Sequence, residues 1–312
     1  MGITSPAPNA RGRGPGLSLA TSSHPGLRAC GGSGSGVLQE GRALKMKIDH
    51  DKSTALVTGA ASGIGRALAC ALADRGARVL CADRNLEGAS ETASTIGRGA
   101  LGIECDLAEP DGAAALLDRA SEIGGDLDIV CSNAGVGYRG RLAESKFERD
   151  EALARLFEVN FFAGLKLAQA YAHRLEASGR RGRMLFTASE NSLSVPHAIR
   201  GGNLGFYGAS KHALLIALEW MRIEQRKGPL DLHVLLPGAV YTPLIAPGLP
   251  DPAEAPPELE LIMPEQCAEI ALRGIDLGLF YIPTQAHILE DMQPRTEGVA
   301  DALEKLGITA RA

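Results

Sequence analysis

From Thr54 onward the chain alternates between two kinds of stretch. Short, nearly unbroken apolar runs fall at residues 55–58, 77–82, 100–105, 127–132, 183–188, 232–236 and 279–282. Between them, residues 65–74, 86–96, 112–123, 150–177, 207–226 and 264–277 carry apolar side chains at helical spacing. Strands alternating with helices predict a parallel sheet. Runs without polar alternation predict that both faces of the sheet are covered. The expected fold is α/β, a doubly wound parallel sheet of about seven strands with helices on both faces. Residues 46–312 show no break wide enough to start a second unit and are expected to form one domain. Residues 241–263 hold six prolines and no period. A loop that long inside a compact domain is expected to serve function, as a lid for example.

Residues 1–45 do not share the pattern. Gly, Ser, Pro and Ala dominate, and Arg11, Arg13 and Arg28 are the only charges before Glu40. Such a segment buries too little apolar surface to offset its ordering entropy. The expectation is a disordered extension, or a stretch upstream of a functional start at Met46. Its acid-poor, Arg- and Ser-containing composition leaves a transit peptide open, although no clear amphipathic helix accompanies it. Pro6 stands where a myristoylation site needs Ser or Thr. No run of about 18 uncharged apolar residues occurs, so no spanning helix and no membrane partner are expected.

Apolar residues make up 45% of the chain, enough for a sizeable core, and aromatics only 4%, which suits small-residue helices packed on a sheet. The net charge of −5 gives no reason to expect a nucleic-acid partner. Cys30, Cys70, Cys81, Cys105, Cys131 and Cys267 form no CxxC pair and have no His cluster beside them, so no metal site is expected. Read as reduced core thiols, they imply an intracellular, cytoplasmic setting.

The first strand runs into Thr58-Gly59-Ala60-Ala61-Ser62-Gly63-Ile64-Gly65, and a helix follows at once. Glycines there allow a tight turn and close approach of a pyrophosphate to backbone N–H groups at a helix N-terminus. Asp83 ends the second strand, 18 residues after Gly65. An acid at that distance bonds ribose hydroxyls and repels a 2′-phosphate, and Ser62 brings no basic residue into the turn. NAD is therefore favoured over NADP, with Arg84 beside Asp83 keeping NADP open. Tyr207 and Lys211 stand four residues apart on one helix face. A tyrosine, with an ordinary pKa of about 10, becomes a usable base when an ammonium stabilises its phenolate.

The Gly-rich spacing, Asn133-Ala134-Gly135 after the fourth strand, and Tyr207-Gly208-Ala209-Ser210-Lys211 occur together and in order. Over roughly residues 50–285 the sequence resembles the short-chain dehydrogenase/reductase family, in its compact single-domain branch. The resemblance implies a Rossmann fold and hydride transfer between NAD and an alcohol or ketone. It implies Tyr207 as general acid/base, Lys211 as the residue that lowers its pKa and holds the nicotinamide ribose, and Asn160 as support for a proton-relay water. The cofactor set it implies is Gly59, Ser62, Gly63, Ile64, Gly65, Asp83, Arg84, Asp106, Leu107, Asn133, Ala134, Gly135, Tyr207, Lys211, Pro237, Gly238, Val240 and Thr242. Asp106 would meet the adenine, and Pro237, Gly238 and Thr242 the nicotinamide carboxamide.

The family serine falls on Ser189 if residues 182–189 occupy the usual strand. Ser192 and Ser194 are rivals, since the stretch to Tyr207 is longer than usual. Ser132 departs from the family's more frequent Asn. Glu190 stands where small apolar residues are usual, and an outward-pointing side chain is favoured over one aimed at substrate. His197, His212 and His233 read as surface or packing residues. Residues 138–142, 192–206 and 244–263 would shape the substrate site. The family also implies a homodimer or homotetramer built on residues 150–177 and 207–226. The alternatives are an NADP-dependent carbonyl reductase, and a catalytically silent dinucleotide-sensing protein.

Overall fold

The computed structural model describes residues 53–144 and 150–308. The expectations for residues 1–45 lie outside them. Seven strands form one parallel sheet: β1 (Thr54–Thr58), β2 (Arg78–Asp83), β3 (Leu101–Glu104), β4 (Ile129–Ser132), β5 (Gly182–Thr187), β6 (Leu230–Leu236) and β7 (Tyr281–Pro283). Their order is β3-β2-β1-β4-β5-β6-β7. The chain winds outward from β1 to β3, then returns to place β4 on the other side of β1. That reversal opens a crevice beyond the carboxyl ends of β1 and β4, where ligands bind in such sheets.

The helices are α1 (Gly63–Asp74), α2 (Leu86–Ile96), α3 (Gly112–Gly124), α4 (Glu151–Phe157), α5 (Ala163–Ser178), α6 (Gly205–Glu224), α7 (Pro264–Asp276) and α8 (Ile288–Lys305). Successive strand residues face opposite sides. Leu56, Leu80, Val130, Met184, Phe186 and Val234 pack with α3, α5 and α6. Val57, Cys81, Cys131, Leu185 and Leu235 pack with α1, α2 and α7. Two buried layers thus replace the polar alternation of a one-faced sheet, as the unbroken apolar runs predict. Cys81, Cys131 and Cys267 are buried free thiols, and Cys70 and Cys105 are partly buried ones.

The predicted single helix over 150–177 is broken in one respect. Between α4 and α5, Glu158–Phe162 forms a π-turn in which Ala163 N–H donates to Glu158 O, five residues back. Such widened turns often mark functional sites. Asn160 lies inside it, buried. A second departure is α8, which has no counterpart among the predicted segments. Pro294 interrupts its hydrogen-bond ladder, and Ile288 is its one buried residue among those described, so neither propensity nor a core-facing stripe announces it. Residues 241–263 make three short turns and are stitched back by the Val240–Ile262 bridge.

Candidate active site

The Gly-rich turn is shaped by contacts that exclude side chains. Gly59 has φ +68° and Gly63 φ +54°, and a Cβ on Gly65 would sit 2.1 Å from Gly59 O. Helix α1 starts at Gly63, and its N-cap Ser62 makes no side-chain capping bond. The first N–H groups of α1 therefore point at the crevice with their helix-end charge. Asp83 closes the turn from the side: Oδ2 accepts from Ala61 N at 3.1 Å and Oδ1 from Asn85 N at 2.9 Å.

A cleft runs from here along the sheet edge, lined by Gly59, Asp83, Arg84, Asp106, Leu107, Ala134, Gly135 and Arg155. Arg155 donates to both Asp106 oxygens at 2.8 and 2.9 Å. This hydrogen-bonded guanidinium holds the Asp106 carboxyl below its usual range, against the upward push of burial. Arg155 is a cleft residue that sequence reasoning missed. It lies 49 positions from its partner, and no local spacing joins the two.

Asn133 ties three strand ends together. Its N–H donates to Thr58 Oγ1 (2.9 Å), its Nδ2 to Thr58 O (3.1 Å), and its Oδ1 accepts from Thr187 Oγ1 (3.0 Å). Ala134 N also donates to Thr58 Oγ1. Asn160 clamps the next step of the chain: Oδ1 accepts from Val136 N (2.8 Å) and Nδ2 donates to Val136 O (3.0 Å). Thr242 closes over the Gly-rich turn, because a Cβ on Gly63 would lie 3.1 Å from its methyl.

Ser189, Tyr207 and Lys211 meet beyond the carboxyl end of β5. Ser189 is extended, and its Oγ accepts from Asn191 N (3.2 Å) and lies 3.5 Å from Pro237 O. Tyr207 is partly exposed and brings its hydroxyl to Ser189. Burial pushes that hydroxyl up to about 12, a hydrogen bond with Ser189 pulls it down, and the Glu190 charge pushes it up again. Neither Ser192 nor Ser194 shares this contact; both hydroxyls are buried without a protein partner. Lys211 Nζ donates to Thr187 O (2.9 Å) and lies 5.8 Å from the Tyr207 ring centroid. Burial lowers the ammonium to about 8. The expected lowering of the Tyr207 pKa by Lys211 is thus not met in this arrangement. The ammonium faces a carbonyl and the ring rather than the phenol oxygen, so desolvation dominates.

Glu190 corrects another expectation. It points inward, 6% exposed, and accepts from His287 Nε2 at 2.8 Å. His287 is a second residue that sequence reasoning missed. His212 has partners too, Gly208 O and Arg295, as does His233 with Leu279 O. Two of the segments expected to shape the substrate site touch, and Leu244 of the third lies against Gly137, just before the first. Gly140 N donates to Asn203 O (2.9 Å), and a Cβ on Gly137 would sit 2.4 Å from Leu244 Cδ1.

A parallel sheet with a glycine-only phosphate turn at its switch point, and a Ser–Tyr–Lys group a few strands along, defines a dinucleotide-dependent oxidoreductase. The family model of the short chain dehydrogenases matches residues 53–251. The chain belongs to the short-chain dehydrogenase family. It is 37% identical over 237 residues to the 1-deoxy-11-beta-hydroxypentalenate dehydrogenase of Streptomyces avermitilis, covering 75% of this chain and 85% of that protein. Among solved structures it is similar to a short chain dehydrogenase/reductase from Burkholderia phymatum in complex with NAD, at TM-score 0.70 and 28% identity, covering 81% of this chain and 96% of the other. It is also similar to a putative gluconate 5-dehydrogenase from Beutenbergia cavernae with bound NADP, at TM-score 0.66 and 28% identity, covering 77% and 97%. The glycine cradle and the free end of α1 fit the pyrophosphate of a nicotinamide dinucleotide.

Proposed function

We propose that the protein is an NAD-dependent dehydrogenase of a secondary alcohol, or reductase of the matching ketone, with Tyr207 as its general acid/base. The observation that carries this reading is the Ser189–Tyr207 hydroxyl pair, with Lys211 one helical turn away, at the strand ends beside the glycine cradle. In oxidation, Tyr207 in its phenolate form takes the proton of the alcohol. Ser189 donates to the same oxygen and steadies its developing charge. The Lys211 ammonium, one helical turn from Tyr207, suits a ribose hydroxyl of the cofactor. Asn160, buried in the π-turn, supports a water that returns the proton to solvent. Bound NAD supplies the hydride acceptor.

Asp83 supports NAD as the cofactor, because its carboxylate lies against the Gly-rich turn where an adenosine ribose would meet it. Arg84 lines the same cleft and supports the NADP reading. Absorbance of the reduced cofactor, followed with a panel of secondary alcohols and NAD or NADP, separates the two. The expected result is a lower KM for NAD, with the gap narrowing in Asp83→Ala. A wild-type preference for NADP would contradict the assignment of Asp83, and no reduced cofactor with any alcohol would favour a sensing protein.

The exposed Ile216, Trp220 and Ile223 stand at spacings of four and three on α6 and form an apolar stripe. The stripe supports a homo-oligomer built on this helix.

A further inference from the structure

The residue beside the catalytic serine is a buried carboxylate that the reaction described above does not use. Glu190 N donates to Pro237 O (2.8 Å), which joins the ends of β5 and β6. Its carboxylate then lies against Gly238: a Cβ there would come within 2.7 Å of Glu190 Oε2. His287, the residue that opens α8, donates Nε2–H to that same oxygen at 2.8 Å. The other ring nitrogen, Nδ1, lies 3.2 Å from Glu260 Oε2, at the end of the proline-rich loop. Gln285 completes the seam, accepting from Gly238 N (2.8 Å) and donating to Ala239 O (2.9 Å). The serine turn and the loop end at Glu260 therefore meet on the imidazole that opens α8, and the Pro237-Gly238 turn packs against the same Glu190 carboxylate.

An uncompensated carboxylate at this depth is costly, and one buried beside a working tyrosine opposes the phenolate. The groups facing it are His287 and Asp291 from the start of α8, Glu260 from the loop and Tyr207 from α6. Only His287 among these can take up positive charge. Burial pulls its pKa down, but the hydrogen bonds and charges of Glu190 and Glu260 together leave it above the ordinary value. The imidazole thus sits between two carboxylates that both favour its protonated form.

We propose that Glu190 and His287 are positioning residues, a buried ion pair that fixes the serine turn against Gly238 and balances the charge beside Tyr207, so that the C-terminal segment sets the pH at which the tyrosine works. The proposal rests on Tyr207 as the acid/base. It predicts opposite effects from the two ends of the pair. His287→Gln leaves the carboxylate uncompensated, so the tyrosine titrates higher. Glu190→Gln removes the negative charge beside the tyrosine, so it titrates lower.

The test is the pH profile of kcat/KM for alcohol oxidation by the full chain, in wild type, Glu190→Gln, His287→Gln and the double variant. Thermal melts report whether each is folded. The inflection should move up by about one pH unit in His287→Gln and down in Glu190→Gln, the size of effect a nearby charge produces. It should return toward wild type in the double variant, where both charges are gone. Single variants that lose rate without moving the inflection, or a double variant displaced as far as either single one, would overturn the proposal. If His287→Gln fails to fold, the near-isosteric Glu190→Gln alone decides: an unmoved inflection overturns it. Tyr207→Phe distinguishes the levels. Full activity in that variant removes the acid/base reading itself. Loss of activity there, with a profile indifferent to Glu190 and His287, removes only the pair.

Discussion

Ser189 and Ser194 are both buried, five positions apart, yet their surroundings differ in a way that assigns them different work. Ser189 Oγ meets the Tyr207 hydroxyl, whereas Ser194 has no such partner. Ser189→Ala is expected to lower turnover by roughly 10²-fold with little change in NAD affinity, as loss of an oxyanion donor does. Ser194→Ala is expected to keep wild-type turnover. Steady-state rates of the two variants check this, and a dead Ser194→Ala beside an active Ser189→Ala would shift the serine assignment. Strand register alone was enough to favour Ser189 from the sequence, because a side chain at a strand's carboxyl end is placed by backbone geometry. The same holds for Gly59, Gly65, Asp83 and Asn133. Arg155 and His287 were illegible for the opposite reason. Their partners stand 49 and 97 residues away, and no local period or spacing ties them to a site. Glu190 was misjudged because a lone carboxylate reads as solvated until its counter-charge is known.

At the level of elements, the turn around Asn160 does what a regular helix could not. One extra residue in the ring rotates the side chain inward, to reach both backbone groups of Val136. Asn160→Ala would leave that partly buried N–H and C=O without their side-chain partner. The expected loss is about 1–3 kcal/mol of stability, read as a lower urea midpoint, along with slower turnover. An unchanged midpoint would mean that the loop after β4 is held by other means. The pattern of apolar residues predicted a helix here and could not predict the widened turn, since a one-residue insertion barely disturbs the period. Helix α8 escaped notice because it buries so little: Leu289, Val299, Leu303 and Leu306 are all exposed.

Across the molecule, the sheet was the most legible feature. Its strands are buried on both faces, so each one writes an unbroken apolar run, and the intervening helices dictate parallel order. Assembly is an expectation of the family that the surface gives a place to test. The Ile216–Trp220–Ile223 stripe supports a dimer or tetramer, and light scattering at micromolar concentration is expected to give an oligomer that Trp220→Glu weakens. A wild-type monomer would contradict it. A chain starting at Met46 is expected to keep its melting temperature and activity. The central claim is that Tyr207 moves the proton while the glycine turn and Asp83 carry the cofactor. The most direct measurement is the turnover of Tyr207→Phe beside its NAD dissociation constant. The account predicts that NAD binds as in wild type and that turnover falls by at least ~10²-fold, the contribution of a positioned acid/base. Full turnover in Tyr207→Phe would contradict it.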